Sequence, residues 1–459
     1  MKKLIKILQI FFFILFIFTL LLPYLNEDMA TISFTKLDIF VYIFSLKINI
    51  FLLILIILLG FQLFFGRIFC SFICPLGNLI TFFDGSFKHL RKRKRTKDRR
   101  LLYWIPAGVL FIVLAFKILS VHIIGFIDPL SIIHRSFTLT FIPLLNRLFR
   151  FEYNPAPYFV ITDYILLFII ILSFFGERVW CKYICPLGFL HKLCSLPARY
   201  VRVVDKCTSC QKCAQICPTN AISLKDPLKY DKTLCILCYR CMEVCPGDTS
   251  FKILKNLKPT SSSRRNFIRS FLTILSGAFF FNFSFKKKNN RNLLRPPGAT
   301  PESISSHCFR CMECVKICPT SIIQPARLSE GLVNLFTPQI RTDLSYCEYY
   351  CNLCGKICPN NAISKLSLKE KQNWKIGIAR VDRTLCVVWA NGTPCLVCEE
   401  HCPVPGKAIK IRKTKKNGRI TNAPEVEPDL CIGCGICQNK CPVYGAAIRV
   451  YPHQRKNKK

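Results

Sequence analysis

The stretch Cys207-Thr208-Ser209-Cys210-Gln211-Lys212-Cys213-Ala214-Gln215-Ile216-Cys217-Pro218 carries four cysteines in the order Cys-x2-Cys-x2-Cys-x3-Cys-Pro. The same order returns from Cys235 to Pro246. Short Cys-x2-Cys steps wrap the chain around one face of an iron–sulfur cubane, and the cysteine beyond the x3 step ligates the neighbouring cluster. The two tetrads therefore predict two [4Fe-4S] clusters that exchange their fourth ligands.

By this crossed rule, residues 200–257 form a bacterial-type two-cluster ferredoxin domain of the α+β class. Zinc competes for any set of four cysteines, but a zinc ribbon uses two Cys-x2-Cys pairs rather than repeated tetrads that end in Cys-Pro. The predicted ligand sets are Cys207, Cys210, Cys213 with Cys245, and Cys235, Cys238, Cys241 with Cys217.

Two further stretches predict ferredoxin domains over residues 300–366 and 367–459. One tetrad opens with an x3 gap after Cys347, and another has eight residues between Cys386 and Cys395. Gly392 and Pro394 indicate a turn in that long gap, which we expect to be a surface excursion. Crossed pairing gives the sets Cys308, Cys311, Cys314 with Cys358; Cys347, Cys351, Cys354 with Cys318; Cys386, Cys395, Cys398 with Cys441; and Cys431, Cys434, Cys437 with Cys402.

The composition agrees with a metal-rich protein that contacts a bilayer. Among 459 residues, 51% are hydrophobic and 29 are cysteines, of which the six tetrads use all but the few in the first 200 positions. The formal charge of +39 would fall by roughly twelve units if six clusters each carried a net charge of about −2. The sequence shows no interleaved aromatic and basic pattern for single strands, so nucleic acid is not an expected partner.

Residues 1–199 predict a four-helix transmembrane domain, because four apolar runs are each roughly 17 to 25 residues long. Lys2, Lys3 and the basic loop Lys88–Lys97 place both ends of this block on the cytoplasmic side by the positive-inside rule. No small-residue cleavage site follows the first run, which favours an anchor. The runs are Leu4–Tyr24, Ile48–Phe65, Leu101–Leu119 and Tyr158–Phe175.

The transmembrane block contains an internal repeat. Its second and fourth runs both end in Cys-x3-Cys-Pro-Leu-Gly. Residues four apart on a helix share a face, and the proline helps to end the helix. The two pairs could form a four-thiolate metal site, act as redox dithiols, or be small packed residues; we favour a redox or metal role. The cysteines are Cys70, Cys74, Cys181 and Cys185, and the remaining Cys194 is expected to be a buried thiol.

Ionisable residues near the outer ends of the predicted helices are candidates for a quinol-oxidising site, which needs a proton acceptor. Intramembrane ionisable groups are functional candidates. The alternative is that they lie in a loop, where a solvated or hydrogen-bonded histidine is common. The residues are His122, Asp128 and His134.

The stretch Ser263–Arg269, followed by the apolar run Phe271–Phe285, has the form of a twin-arginine export signal. That route carries folded proteins, which suits domains loaded with clusters in the cytoplasm. No small-x-small cleavage site follows, so a fifth, uncleaved crossing is expected within residues 258–299. The alternative is a basic flank on an interdomain linker. The predicted fold is therefore a membrane α-helical bundle with four or five crossings plus three ferredoxin modules.

Both halves resemble known proteins. The first 255 residues, with four apolar runs and twin Cys-x3-Cys-Pro motifs, resemble NapH-type membrane ferredoxins. The part from Ser263 onward, with its twin-arginine leader, four tetrads and long Cys386–Cys395 gap, resembles NapG/MauM-type ferredoxins. The resemblance implies a quinol dehydrogenase component that passes electrons from membrane quinol to a periplasmic partner such as nitrate reductase or a cytochrome. The x3 gap after Cys347 departs from that family's spacing.

The resemblance also implies a place in the bacterial inner membrane, with the first ferredoxin domain cytoplasmic and the last two periplasmic. Two other functions fit the motifs. One is an accessory protein whose clusters supply electrons for assembling another metalloenzyme; the other is a cytoplasmic polyferredoxin subunit of a larger complex. The sequence has no Cys-x-x-Cys-His motif for haem c and no phosphate-binding glycine loop, so electrons are expected to pass by clusters or quinone.

Overall fold

The computed structural model describes residues 2–25, 34–41, 50–87, 105–118, 122–144, 160–224, 226–247, 249–253, 293–416 and 419–453. The predicted export signal Ser263–Arg269, the apolar run Phe271–Phe285 and the basic loop Lys88–Lys97 lie outside the described residues. The chain divides into two compact units. The first comprises Met1–Glu27, Ile32–Thr140 and Phe159–Phe285, and the second Asp28–Thr31, Phe141–Tyr158 and Lys286–Lys459.

The first unit is helical up to Cys194. Helix α3 packs against α1 and α6, and α8 packs against α2 and α4. Side chains such as Phe16, Leu55, Ile80 and Ile169 are buried between them. The helices are α1 Lys2–Leu25, α2 Ile50–Phe65, α3 Pro75–Phe87, α4 Ile105–Ile118, α5 Pro129–Ser136, α6 Val160–Phe175, α7 Val179–Tyr183 and α8 Pro186–Cys194, with 3-10 turns at Phe34–Leu37 and Ile124–Phe126 and π-helical turns at Phe69–Ile73 and Phe137–Phe141.

Within the described ranges, α1 is the one helix long and apolar enough to cross a membrane by length and composition, over Leu4–Leu22. A membrane anchor and a signal sequence both have this form. Three shorter apolar helices, Phe51–Phe65, Ile105–Lys117 and Thr162–Phe175, are parts of α2, α4 and α6. One of the four predicted crossings therefore meets the length criterion, and the bundle of four remains a prediction.

A small α+β fold closes the first unit. Strand β1 (Tyr200–Val204) pairs antiparallel with β2 (Thr249–Ile253), with Arg202 opposite Phe251. Between them, each cysteine tetrad contains one short helix, α9 (Lys212–Ile216) and α10 (Arg240–Glu243). The strands thus join the two ends of the region that was predicted as a ferredoxin domain.

The second unit begins with α11 (Pro301–His307), which starts at a capping box between Thr300 and Ser303 with proline in the first turn. A short antiparallel pair, β3 (Ile323–Pro325) with β4 (Pro338–Ile340), lies between the first two tetrads of this unit. Within its described part, the remaining helices of this region are α12 Glu313–Lys316, α13 Leu353–Ile357 and α14 Leu368–Gln372, with a 3-10 turn at Leu328–Glu330.

The last region repeats the plan of the first ferredoxin fold. Strand β5 (Gly377–Val381) pairs antiparallel with β8 (Ile448–Pro452). A longer hairpin, β6 (Ile409–Lys416) with β7 (Arg419–Val426), separates its two tetrads. The short helices are α15 Val387–Asn391, α16 Val397–Glu400 and α17 Ile436–Lys440.

Candidate metal centres

Cysteines from the two ends of one region meet around a cavity of about 370 Å³ in the second unit. Three come from the first tetrad, ahead of and within α12, and the fourth directly follows α13. The lining cysteines are Cys308, Cys311, Cys314 and Cys358. This is the crossed combination that the spacing predicts.

Two further cavities are lined in part by strands β5 and β8. One, of about 390 Å³, is lined by Cys386, Cys395, Cys398 and Cys441. The other, of about 330 Å³, is lined by Cys402, Cys431, Cys434 and Cys437. Here again the cysteine that follows the x3 step lies with the other tetrad.

The other three sets show crossed neighbours through the effect of one thiol on another, although for the Cys207 set this is seen only between Cys213 and Cys245. Burial raises the pKa of the Cys354 thiol, and the neighbouring Cys347, Cys318 and Cys351 raise it further. In the first unit Cys217 acts in the same manner on Cys235, Cys238 and Cys241, and Cys245 acts on Cys213. Buried, mutually repelling thiols are ionised when a cationic iron core binds them. Cys207 and Cys210 are exposed, so their set is the most open to solvent among those described.

Backbone geometry repeats around the second cysteine of each regular tetrad. The residues directly before and after it have positive φ: Ser209 and Gln211, Leu237 and Tyr239, Arg310 and Met312, Gly433 and Gly435. Left-handed residues alternating with right-handed ones turn successive N–H groups toward one point and make an anion-binding nest. Strained positive φ at non-glycine residues is stored at functional sites. The loops are therefore shaped for an anionic group such as a thiolate-bound cluster.

The chain after each Cys-Pro also turns back toward the sulfur. Backbone N–H groups donate to Sγ from Ala221 to Cys217 at 3.3 Å, from Ala408 to Cys402 at 3.4 Å, and from Ala447 to Cys441 at 3.4 Å. Hydrogen bonds to cluster sulfurs stabilise the more negative, reduced state and so raise the reduction potential. The cavities therefore fit an iron–sulfur cluster in both shape and polarity.

The arrangement also bears on the zinc alternative. In each of the three cavities four thiols are spread around a partly open space. Across the part of the chain that the structure describes, no three His, Cys, Asp or Glu side chains are grouped closely enough to hold a single ion. Thiols around a cavity suit a cluster of several irons better than one tetrahedral zinc.

Comparison with protein-family models agrees with this geometry. A 4Fe-4S dicluster domain matches residues 227–319, one 4Fe-4S binding domain matches residues 50–97 and 164–201, and another matches residues 200–223 and 424–444. The chain contains several 4Fe-4S ferredoxin domains. The dicluster match spans the Cys235 tetrad and the Cys308 tetrad. In the structure these two tetrads lie in different compact units. A family model recognises the spacing of cysteines, and it cannot distinguish one tetrad of this spacing from another.

Several ferredoxin-type proteins are similar to this chain in sequence. MauM, a methylamine utilization ferredoxin-type protein of Methylophilus methylotrophus, is 32% identical over 147 residues, 31% of this chain and 64% of MauM. The ferredoxin-type protein NapG of Escherichia coli (strain K12) is 34% identical over 31% of this chain and 63% of NapG. The chain thus spans less than two thirds of either. MauN of Paracoccus denitrificans (strain Pd 1222) is 29% identical over 33% of this chain and 48% of MauN.

Together the domains and relatives make this an iron–sulfur electron-transfer protein, homologous to NapG/MauM-type ferredoxins over about a third of its length. The number of clusters and their ligands remain proposals. The domain boundaries also remain proposals, because the bounds of the family matches do not coincide with the predicted domains.

The x3 gap of the Cys347 tetrad is held by a buried lysine from α14. The Lys371 ammonium donates to the backbone carbonyls of Glu348 and Tyr349, the latter at 3.0 Å. The ammonium also lies 5.8 Å from the centre of the Tyr349 ring. Its charge acts on both Cys347 and Cys434. Sequence reasoning missed Lys371, because one lysine among several in a polar stretch gives no signal of burial.

The expectation that the eight-residue gap after Cys386 is a surface excursion holds for residues 390–394, which are exposed, and fails for Val388 and Trp389. The gap folds as helix α15, ended by Gly392 with φ 75°. Val388 and Trp389 are buried, and the Trp389 indole N–H donates to the Pro424 carbonyl of β7 at 3.2 Å. The apolar Val-Val-Trp run therefore packs in the core, and the predicted turn at Gly392 is present.

The two Cys-x3-Cys-Pro motifs are not continuous with the helices that precede them. Cys74 and Cys185 have extended backbones, with ψ of 113° and 112°, at the start of α3 and α8. Pro75 and Pro186 are the first helical residues of these helices. Each proline therefore begins a new helix, at a position where a missing N–H is harmless. The sequence predicted only that it would help to end the preceding helix.

The candidate quinol residues His122, Asp128 and His134 are all buried, so none of them is solvated. His122 lies outside the helices. The quinol role of all three remains a proposal. Asp128 caps α5 by accepting from the Ser131 backbone N–H at 2.6 Å. His134 lies on α5, 3.4 Å from the Thr138 hydroxyl. A further carboxyl, Asp38, is buried and hydrogen-bonds to Asp128; sequence reasoning missed it because it lies between the predicted membrane runs. Cys194, expected to be buried, is half-buried.

Proposed function

We propose that this protein passes electrons from membrane quinol, through its ferredoxin clusters, to a periplasmic reductase. The observation that carries the proposal is the unbroken series of thiol sets in the second unit. The Cys347 backbone N–H donates to the Cys434 carbonyl at 2.8 Å, which joins the two middle sets directly. At the first pair of sets Cys354 lies close enough to Cys314 to raise its pKa, and at the last pair Cys398 does the same to Cys437. A series of neighbouring clusters is the arrangement that carries electrons over a distance.

The first unit supplies the reason to propose a membrane donor. Helices α1, α2 and α6 leave large apolar side chains exposed, among them Ile14, Phe64 and Phe168. Apolar surface of this extent on a soluble monomer is unusual and marks contact with lipid or a partner. We therefore propose a multi-pass inner-membrane domain over residues 1–199, with the buried His122, Asp128 and His134 as acceptors for quinol protons.

The proposed topology follows from the positions of the basic and apolar segments. The ferredoxin domain at residues 200–257 lies in the cytoplasm. Residues 258–299 contain the twin-arginine segment and a fifth crossing, and the domains at 300–366 and 367–459 lie in the periplasm. The relation to NapG and MauM over about a third of the chain supports a redox partner, and a nitrate reductase or a cytochrome is the proposed acceptor.

The donor is tested by mixing membranes that contain the full-length protein with a reduced menaquinol analogue under anaerobic conditions. We expect the visible absorbance of the oxidised clusters to bleach, and to return when an oxidant is added. Absence of bleaching in a sample that dithionite does bleach would reject quinol as the donor. The variant His134→Gln should slow bleaching by the quinol. Its bleaching by dithionite should be unchanged and serves as the control.

The topology is tested separately by adding protease to intact spheroplasts and probing a tag placed after Lys459. We expect the tag to be cleaved from intact spheroplasts. Complete protection there, with cleavage after lysis, would place the last two ferredoxin domains in the cytoplasm and contradict the proposed export.

A further inference from the structure

The two Cys-x3-Cys-Pro motifs, distant in sequence, meet at one cavity of the first unit. Cys70, Cys74, Cys181 and Cys185 all line it, and its volume is about 320 Å³. Four thiols therefore surround one space between the repeats, as four thiols surround each of the three ferredoxin cavities.

The Pro-Leu-Gly ending of each motif shapes this cavity. The backbone N–H of Gly77 donates to Cys74 Sγ at 3.4 Å, and that of Gly188 donates to Cys185 Sγ at 3.2 Å. A Cβ at Gly77 would lie 2.9 Å from the Cys70 carbonyl oxygen, closer than packed atoms allow. Glycine thus lets the helix start approach the preceding turn, and both helix N-termini direct N–H donors at a thiol.

An arginine occupies the same place in each repeat, three residues before the first cysteine. Arg67 and Arg178 are 5% and 3% exposed. The Arg178 guanidinium, from the second repeat, donates to the Cys70 carbonyl of the first at 2.7 Å and to the Thr81 hydroxyl at 2.6 Å. In return, Arg67 lies 3.2 Å from the position of a Cβ at Gly188 in the second repeat. The side chain of each arginine therefore contacts the other repeat.

Two buried guanidinium groups beside four thiols indicate an anionic occupant. Four thiolates on a [4Fe-4S] core carry a net charge of about −2. The Arg67 Nη2 lies 3.7 Å from Cys70 Sγ, and within the described residues no acceptor is in reach of its Nε. Buried Asp84 braces the site by accepting from the Arg178 backbone N–H at 3.1 Å. Asp84 supplies one negative charge beside two guanidinium groups, so a further anion would lower the cost of burying the second.

We propose that Cys70, Cys74, Cys181 and Cys185 together bind a seventh iron–sulfur cluster, with Arg67 and Arg178 balancing its charge. The 4Fe-4S binding domain that matches residues 50–97 and 164–201 covers both motifs and agrees with this class of cofactor. The centre adjoins the first ferredoxin domain: Arg178 also acts on Cys238, and Glu177 pairs with Arg240 at 3.1 Å. The inference does not depend on quinol, since iron content is the same whatever the donor.

The test compares iron content among serine variants of the full-length protein, purified without oxygen. One double variant removes both cysteines of the first motif, Cys70→Ser with Cys74→Ser, and another removes both of the second, Cys181→Ser with Cys185→Ser. A shared cluster predicts that each loses about four irons relative to wild type and that the quadruple variant loses no more. Cys194→Ser, outside both motifs, should lose none.

Several outcomes would overturn the proposal. These are losses that add in the quadruple variant, loss of one zinc in place of iron, or a Cys70–Cys74 disulfide in anaerobically purified protein. If the quadruple variant loses all its iron, the wild-type content decides: about 28 irons per chain support seven cubanes, and about 24 support six.

The arginines are tested by redox titration of the electron paramagnetic resonance signal that the quadruple variant lacks. Arg178→Met should shift this signal to lower potential, and Arg178→Lys should restore part of the shift, while the iron content stays at the wild-type value. The exposed Arg199→Met is the matched control. An unchanged potential in Arg178→Met, with iron retained, would show that the arginines do not balance a cluster charge.

Discussion

The backbone N–H of Cys347 donates to the backbone carbonyl of Cys434 at 2.8 Å. These residues belong to different predicted ferredoxin domains, so the bond joins the cysteine loops of two neighbouring thiol sets directly. Tyr349, Ile432 and Cys434 pack in one apolar cluster around it. An apolar, hydrogen-bonded contact between two cluster loops excludes water and fixes their distance, as a relay requires.

The crossed ligand sets predict which pairs of cysteines share a cluster. The double variant Cys308→Ser with Cys358→Ser removes two ligands of one predicted cluster, so about four irons should be lost. The double variant Cys308→Ser with Cys318→Ser removes one ligand from each of two clusters, so about eight irons should be lost. Iron and acid-labile sulfide analysis measures this. The opposite order would mean that each tetrad binds its own cluster.

Lys371→Met should lower the potentials of the two sets that flank the Cys347–Cys434 contact, because it removes a positive charge beside both. A buried unit charge at this range changes the potential by roughly several tens of millivolts. Two carbonyls also lose their donor, at a cost of about 1–3 kcal/mol. Redox titration followed by electron paramagnetic resonance measures the potentials. The control is Lys375→Met, whose exposed side chain bonds the Pro428 carbonyl and should leave all potentials unchanged.

The contrast between Lys371 and the cysteines shows what the sequence could predict. Cysteine spacing predicted the crossed combinations that line the three ferredoxin cavities of the second unit, because a cluster requires its ligands at fixed steps. It could not reveal that Lys371, buried under the x3 gap, holds that gap in place. Nor could it show Trp389 in the core, since the long gap was interpreted by its turn residues and not by its apolar run. That Arg67 and Arg178 each lie against the other repeat could be seen only once the structure placed the two repeats in contact.

Lys316→Met should destabilise the domain of the Cys308 set strongly. The Lys316 ammonium pairs with the Glu313 carboxylate at 2.7 Å, and both side chains are fully buried. Removing one partner of a buried pair leaves an uncompensated charge and costs about 3–5 kcal/mol. The double variant with Glu313→Gln should recover most of this loss. The measurement is the temperature at which cluster absorbance disappears; equal loss in the single and double variants would contradict the assignment.

Trp389→Ala should release the cluster bound by Cys386, Cys395, Cys398 and Cys441 before the others. Trp389 packs against Pro424 and lies under the Arg383 guanidinium, whose centre is 4.2 Å from the ring. Truncating a buried tryptophan costs about 3–5 kcal/mol, and here it loosens α15, which directly follows the ligand Cys386. Trp389→Phe keeps most of the packing and loses one hydrogen bond, so its cost should be about 1 kcal/mol. Iron release at moderate temperature, with the spectrum of the remaining clusters as internal control, measures the difference. Equal release from the two variants would mean that the indole hydrogen bond, and not the packed ring, holds the long gap in place.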